Sequence, residues 1–310
     1  MRKTSLDCVY QLAKQDDRVV FIGSDLGPGV LDEMRTEFGE RFFMEGVAEQ
    51  HIIGMAAGMA MSGFIPYVNT IATFLTRRCF EQIAVDLCLQ NLPVRLIANG
   101  GGLVYAPLGP THLATEDISI LRSLPNMTIV AVCDAEEMER LMKCTLDWPH
   151  PIYIRLGKGG DKVVSKASNG FQLGKAIKMR SGLHASIIST GVMTQVALEA
   201  ASNIEKSKGI NISVFHMHTI KPIDERAILE IAKSTPHIWT IEEHSRNGGL
   251  GTSVLEVISD NAPEMCGKVY RLGLPDAFPD KYGSQETLLD SYGLDSETLV
   301  REISSKIGDC

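Results

Sequence analysis

Glu49 is the side chain most suited to proton chemistry. It stands between an apolar run, Phe42 to Met44, and a segment dense in small residues: Ala48, Gly54, Ala56, Ala57, Gly58 and Ala60. An acid in the first turn of a helix is most often solvated and complements the positive end of the dipole. Here both flanks mark burial, and a buried carboxylate needs a partner. The glycine-rich stretch Gly23 to Gly29 follows an apolar run and reads equally as a ligand loop or a plain strand-to-helix turn. It has neither the Gly-x-Gly-x-x-Gly nor the Gly-Lys-Ser/Thr spacing of the nucleotide loops. Seven scattered cysteines form no Cys-x-x-Cys pair, which argues against zinc and against a disulfide framework. Lone histidines such as His112, His216 and His218 are more often structural than functional, and a lone aromatic such as Phe74 is more often core.

The elements that must position Glu49 are legible. Phe42 to Met44 reads as a strand end, Glu45-Gly46 as a turn, and the small-residue segment as a helix reaching Ser62. Gly54 and Gly58 each cost a helix about 1 kcal/mol. Together with Ser62 they recur every fourth residue on one face, which predicts close packing against another helix or another subunit. Strands are expected at 18–22, 65–71, 93–98, 127–132 and 152–156, with helices at 6–14 and 78–89. Asp134 caps a further helix. A second alternating series gives strands at 186–189, 212–215, 237–241 and 269–272 and helices at 193–205, 224–232 and 251–258. An amphipathic helical tail begins at Gln285. This pattern means two three-layer α/β domains, the first with a mainly parallel sheet. The expected division is 1–160, a linker at 161–184, and a smaller domain at 185–310.

The segment Phe43-Met-Glu-Gly-Val-Ala-Glu-Gln-His-Ile-Ile-Gly-Met-Ala-Ala-Gly58 resembles the cofactor-activating segment of transketolases and deoxyxylulose-phosphate synthases. The resemblance continues, in order, through Thr73-Phe-Leu-Thr-Arg77, Gly109-Pro-Thr-His112, Leu121-Arg-Ser-Leu-Pro-Asn126, Thr240-Ile-Glu-Glu-His244 and Gly248-Gly-Leu-Gly251. It covers nearly the whole chain and implies a pyrimidine-binding domain followed by a transketolase C-terminal domain. It also implies thiamine diphosphate as cofactor. Glu49 would bond N1′ of the aminopyrimidine and Phe74 would stack on that ring. Arg77 either frames the cofactor pocket or makes a salt bridge. His112 would line the donor pocket and move protons, which makes Glu49 and His112 the catalytic candidates. Asn99 would bind substrate, and Lys158 stands where the family has a phosphate-binding arginine, keeping the charge but not the bidentate fork.

Two departures bear on substrate. Leu108 replaces an acid that contacts a donor hydroxyl, and Gly100 replaces a histidine for sugar phosphate, so ordinary sugar-phosphate specificity is not implied. A third departure is larger. Full-length relatives hold the diphosphate and its Mg2+ with Gly-Asp-Gly followed by Asn-Asn, and this chain has no Gly-Asp-Gly. No metal ligand is therefore expected of this chain. The resemblance implies the C-terminal half of a split enzyme, active with a diphosphate-binding partner in an α2β2 assembly, and transferring a two-carbon ketol or acyl unit. The alternatives are an α-keto acid decarboxylating carboligase of the same family and a non-catalytic scaffolding or regulatory subunit. A net charge of −8 argues against nucleic acid and membrane surfaces as partners. Without an apolar signal core or a membrane span, the expected compartment is the cytoplasm.

Overall fold

The computed structural model describes residues 1–24, 29–157 and 159–307. The centre of the expected glycine loop after residue 24 and the expected phosphate contact Lys158 lie outside them. Two sheets organise the rest. The first runs β10-β5-β6-β4-β3-β1-β2 and the second β12-β11-β8-β9-β7. In chain order the strands are β1 (Val19–Gly23), β2 (Phe42–Met44), β3 (Ile65–Ile71), β4 (Arg95–Asn99), β5 (Thr128–Ala131), β6 (Ile152–Leu156), β7 (Ile177–Arg180), β8 (Ala185–Ser189), β9 (Ile212–His216), β10 (Thr219–Lys221), β11 (Ile238–Ser245) and β12 (Val269–Leu274).

Pairing within the first sheet is parallel except for β10, which runs antiparallel to β5. In the second it is parallel except for β7 against β9. Every residue of β1, β4, β5 and β6 is buried, because helices cover both faces and leave no solvated side to alternate with. Helix Glu49–Met61 packs Ile52, Ile53, Ala56 and Ala60 with Val68 and Leu96 of the sheet. Helices Arg2–Gln15 and Ala135–Thr145 close the other face through Leu6, Val9, Met138 and Leu141. In the second unit, helices Met193–Lys208 and Ser296–Ile307 lie on one face and Glu225–Ser234 and Leu250–Asn261 on the other. Asp134 and Asp224 cap their helices, each accepting a bond from the main-chain N–H three residues on.

The fold departs from the sequence reading at several places. The stretch 161–184, expected as linker, contains β7, an edge strand of the second sheet. β10, which was not anticipated, leaves the second series to pair with β5. The expected helix 78–89 is broken, with Ala72–Arg78 and Phe80–Gln82 followed by π-helical Ile83–Leu89. Of the two partners expected for the Gly54 and Gly58 face, another helix or another subunit, the described residues supply no helix: a Cβ added at either position meets none of their atoms within 4 Å.

Tight main-chain approach explains Asn99-Gly-Gly-Gly102. A side chain at Gly100 would overlap the Tyr105 ring, one at Gly101 the buried Arg155, and one at Gly102 the carboxyl of Glu243 from the second unit. Gly100 and Gly102 also hold φ of +76° and +67°, where a Cβ is disfavoured.

Candidate active site

Glu49 is the first residue of helix Glu49–Met61 and is 4% exposed. Its carboxylate accepts a bond from Arg78 Nη1 at 2.9 Å, so the buried charge has its partner. The Arg78 guanidinium also lies 3.9 Å over the centroid of the Phe74 ring. Phe74 in turn meets His112 edge-on, with ring centroids 5.2 Å apart. Glu49, Arg78, Phe74 and His112 thus form one continuous cluster, drawn from two helices and a loop beyond the C-terminal ends of β3 and β4. That end of a parallel sheet is where α/β proteins bind ligands. Arg78 was not singled out from sequence. The signal available was a second arginine beside Arg77, one helical turn beyond Phe74 on the face that meets Glu49.

Of the two roles expected of Arg77, the structure shows the salt bridge. Its guanidinium donates to Glu116 and to the carbonyls of Pro110 and Leu113, at 3.3 and 3.1 Å for the latter two. It therefore clamps the Gly-Pro-Thr-His loop. The salt-bridge alternative is the one its geometry follows, because adjacent helical residues diverge by about 100°. His112 Nδ1 shares a 2.9 Å hydrogen bond with Thr111 Oγ1. Asn99 ends β4 almost fully buried; its amide donates to Asn69 Oδ1 at 3.1 Å, and its own Oδ1 has no hydrogen-bond partner. Leu108 is half exposed and apolar at the mouth of the same loop.

The His112 loop is built by both units. Leu103, Ala106 and Leu113 belong to the core of the second unit, with Trp239, Leu274 and Leu288. Tyr282 of the second unit lies against Gly109. Leu103 N donates to Glu243 Oε1 at 2.9 Å, and Gln285 Nε2 bonds the same oxygen at 2.8 Å. Beneath them Arg155 donates to Asp117 at 2.8 Å and to the carbonyls of Ala114 and Glu243, while Tyr153 also donates to Asp117. Burial pushes the Glu243 carboxyl up to about 7, with Arg155 and the two donors partly opposing.

His216 and His218, read as structural, hold the junction elsewhere. His216 Nε2 bonds Glu137 at 2.8 Å, and the ring of His218 stacks on Phe171 with centroids 4.2 Å apart. Among the described residues, Cys133, Glu137 and His216 are the group whose potential ligand atoms lie within 4.8 Å of one another, and there Glu137 is already bonded by His216 and the Cys133 main chain.

Sequence comparison decides what this cluster belongs to. The family model for the transketolase pyrimidine-binding domain matches residues 1–160, and that for the transketolase C-terminal domain matches residues 174–299. The chain belongs to the transketolase family. It is 36% identical over 302 residues to one of the subunits of the apulose-4-phosphate transketolase of Phocaeicola vulgatus, covering 97% of this chain and 95% of that one. It is 39% identical over 293 residues to 1-deoxy-D-xylulose-5-phosphate synthase of Clostridium perfringens, covering 94% of this chain and 46% of the synthase. The chain therefore spans about half of the synthase's length. Among solved structures, a split-gene transketolase described as an inactive β4 tetramer superposes with a TM-score of 0.90 at 33% identity, covering 99% of this chain and 98% of that one.

Membership of this family implies thiamine diphosphate. The donor set here suits the aminopyrimidine ring of that cofactor. Glu49 and Phe74 already hold a flat nitrogenous cation, bonded to the carboxylate and centred over the ring, and buried Thr73 Oγ1 beside Phe74 in sequence has no hydrogen-bond partner.

The Glu243 carboxyl makes stability pH-dependent. Its folded value is raised from 4.5 to about 7, so between these limits the folded chain holds a proton that the unfolded chain has released. Its contribution is complete below about pH 4.5 and is lost as pH rises through about 7. Glu243→Gln keeps an acceptor for Leu103 N and removes the titration. From pH 5 to 8, urea unfolding should show the wild type losing up to about 3 kcal/mol relative to that variant; parallel pH profiles would contradict this.

Proposed function

We propose that this chain is the pyrimidine-side subunit of a split, thiamine-diphosphate-dependent, transketolase-like enzyme that transfers a two-carbon unit. The observation that carries the reading is the buried Glu49 carboxylate, held one planar group away from the face of Phe74. Thiamine diphosphate, when bound, supplies a carbon nucleophile at C2 of its thiazolium ring. Glu49 would hold and share a proton with the pyrimidine ring. Phe74 gives that ring a flat apolar cover. Arg77 fixes the loop that carries His112. With Nδ1 engaged by Thr111, His112 has Nε2 to move a proton to or from a donor hydroxyl. Asn99 offers an unspent carbonyl acceptor, and Lys158 supplies a positive charge for substrate phosphate.

Magnesium and the diphosphate are held by a partner chain. One feature supports this: the Gly54 and Gly58 face is bare among the described residues, beside exposed Met61. The Phocaeicola relative is itself named as one subunit of its enzyme, and the split-gene neighbour was solved as a tetramer of β chains. The assembly proposed for the active enzyme is α2β2. The donor differs from the usual ketose phosphates, because Leu108 presents no polar atom and Tyr105 fills the space a side chain at 100 would take.

Glu49→Gln should leave folding and subunit association intact and slow C2 proton exchange of bound thiamine diphosphate by at least about 100-fold, followed by NMR. Unchanged exchange ends the assignment of Glu49. Calorimetric titration of thiamine diphosphate with magnesium should give weak binding to the chain alone and tight binding once the diphosphate-binding half is added. Tight, magnesium-dependent binding to the isolated chain would contradict the division of the site. In a donor screen of the complete enzyme, less hydroxylated or α-keto donors should outperform xylulose 5-phosphate; the reverse ranking removes the inference from Leu108 and Gly100.

A further inference from the structure

Arg78 makes, in this chain alone, the two contacts proposed for the aminopyrimidine ring. One edge of its guanidinium donates to Glu49 Oε2 at 2.9 Å, and its carbon lies 3.9 Å over the centre of the Phe74 ring. A guanidinium and an aminopyrimidine share the features this slot reads: a planar π-system, nitrogen donors on one edge, and a thickness that fills one stacking layer. We infer that Arg78 is a built-in plug, a surrogate for the pyrimidine that closes the slot until the cofactor displaces it. This inference rests on the proposed cofactor role of Glu49 and Phe74.

The surrounding contacts fit a side chain that must leave while its backbone stays. The Arg78 side chain is 45% exposed, so it has a path to solvent, whereas the Glu49 side chain it pairs with is only 3% exposed. Gln50 Nε2 holds the carbonyl of Arg78 at 2.9 Å, anchoring the end of helix Ala72–Arg78 whether or not the guanidinium is seated. Arg77 next door is committed to the His112 loop through three acceptors, so it does not compete for Glu49. Two physical needs are met at once. The carboxylate that the cofactor requires is never buried unpaired. The cofactor must also displace a cation before it binds, so its apparent affinity falls by the fraction of chains with the slot open.

The test is the binding of thiamine diphosphate with magnesium to the assembled enzyme, read by calorimetry and by stopped-flow rather than by turnover. Arg78→Ala and Arg78→Met are compared with wild type; the methionine keeps apolar contact with Phe74 in case the alanine variant folds poorly. Opening the slot should raise the association rate and tighten binding by roughly 10- to 100-fold. Guanidinium chloride at low millimolar concentration should reverse that gain in Arg78→Ala, because the free ion can refill the slot, and should leave wild type unaffected. Binding to either variant equal to or weaker than wild type overturns the plug while leaving the cofactor reading in place. Absence of binding to wild type and variants alike overturns both.

Discussion

The ion pair between Arg155 and Asp117 is the constraint on which the rest of this structure depends. Both side chains are buried where the two sheets meet, and neither charge is tolerable there alone; removing one member of such a pair typically costs about 3–5 kcal/mol. The guanidinium spends Nε and Nη2 on three acceptors. It reaches Asp117, then the carbonyl of Ala114 from the first unit and that of Glu243 from the second. Ala114 is two residues from His112, so the position of the loop imidazole is set by a buried charge contributed by the end of β6. The glycines at 101 and 102 are the counterpart of this arrangement, since they allow Arg155 and Glu243 to approach the main chain.

The proposed site therefore belongs to neither unit alone. Glu49 and Phe74 are placed by helices of the first sheet, whereas His112 rides on a segment whose apolar residues Leu103, Ala106 and Leu113 pack into the second unit's core. Arg77 joins the two, with its backbone on the Phe74 helix and its guanidinium on the loop. Precise placement of a proton-transferring group requires such cross-bracing, because a loop anchored at one end samples too many positions.

Much of this was legible in the sequence, for physical reasons. Doubly covered parallel strands read as mainly apolar runs, which is why β3 and β6 fall at the expected residues despite Asn69 and Thr70 in the one and Arg155 in the other. Asp134 and Asp224 were readable because a cap is a local interaction. The illegible parts are non-local. Nothing in the periodicity around Thr219 says that a three-residue strand crosses to the other sheet. β7 sits in a polar stretch because an edge strand is only partly covered, and of its four residues only Ile177 is buried. The split between Arg77 and Arg78 is carried by helix phase alone, since both are arginines and only that phase sends one to the loop and the other to Glu49. Lys158 lies outside the described residues, so its part in the site rests on resemblance alone.

The crossing of β10 bears on how such a chain can be divided. It protects the edge of the first sheet, where β5 would otherwise present unpaired N–H and C=O groups to any passing strand. A cut between the sheets would strip that cover and leave a sticky template, prone to aggregate, in place of a free-standing module. The first unit's sheet is thus completed by a strand that the chain supplies only after it has built part of the second, so the two units share one edge as well as one site.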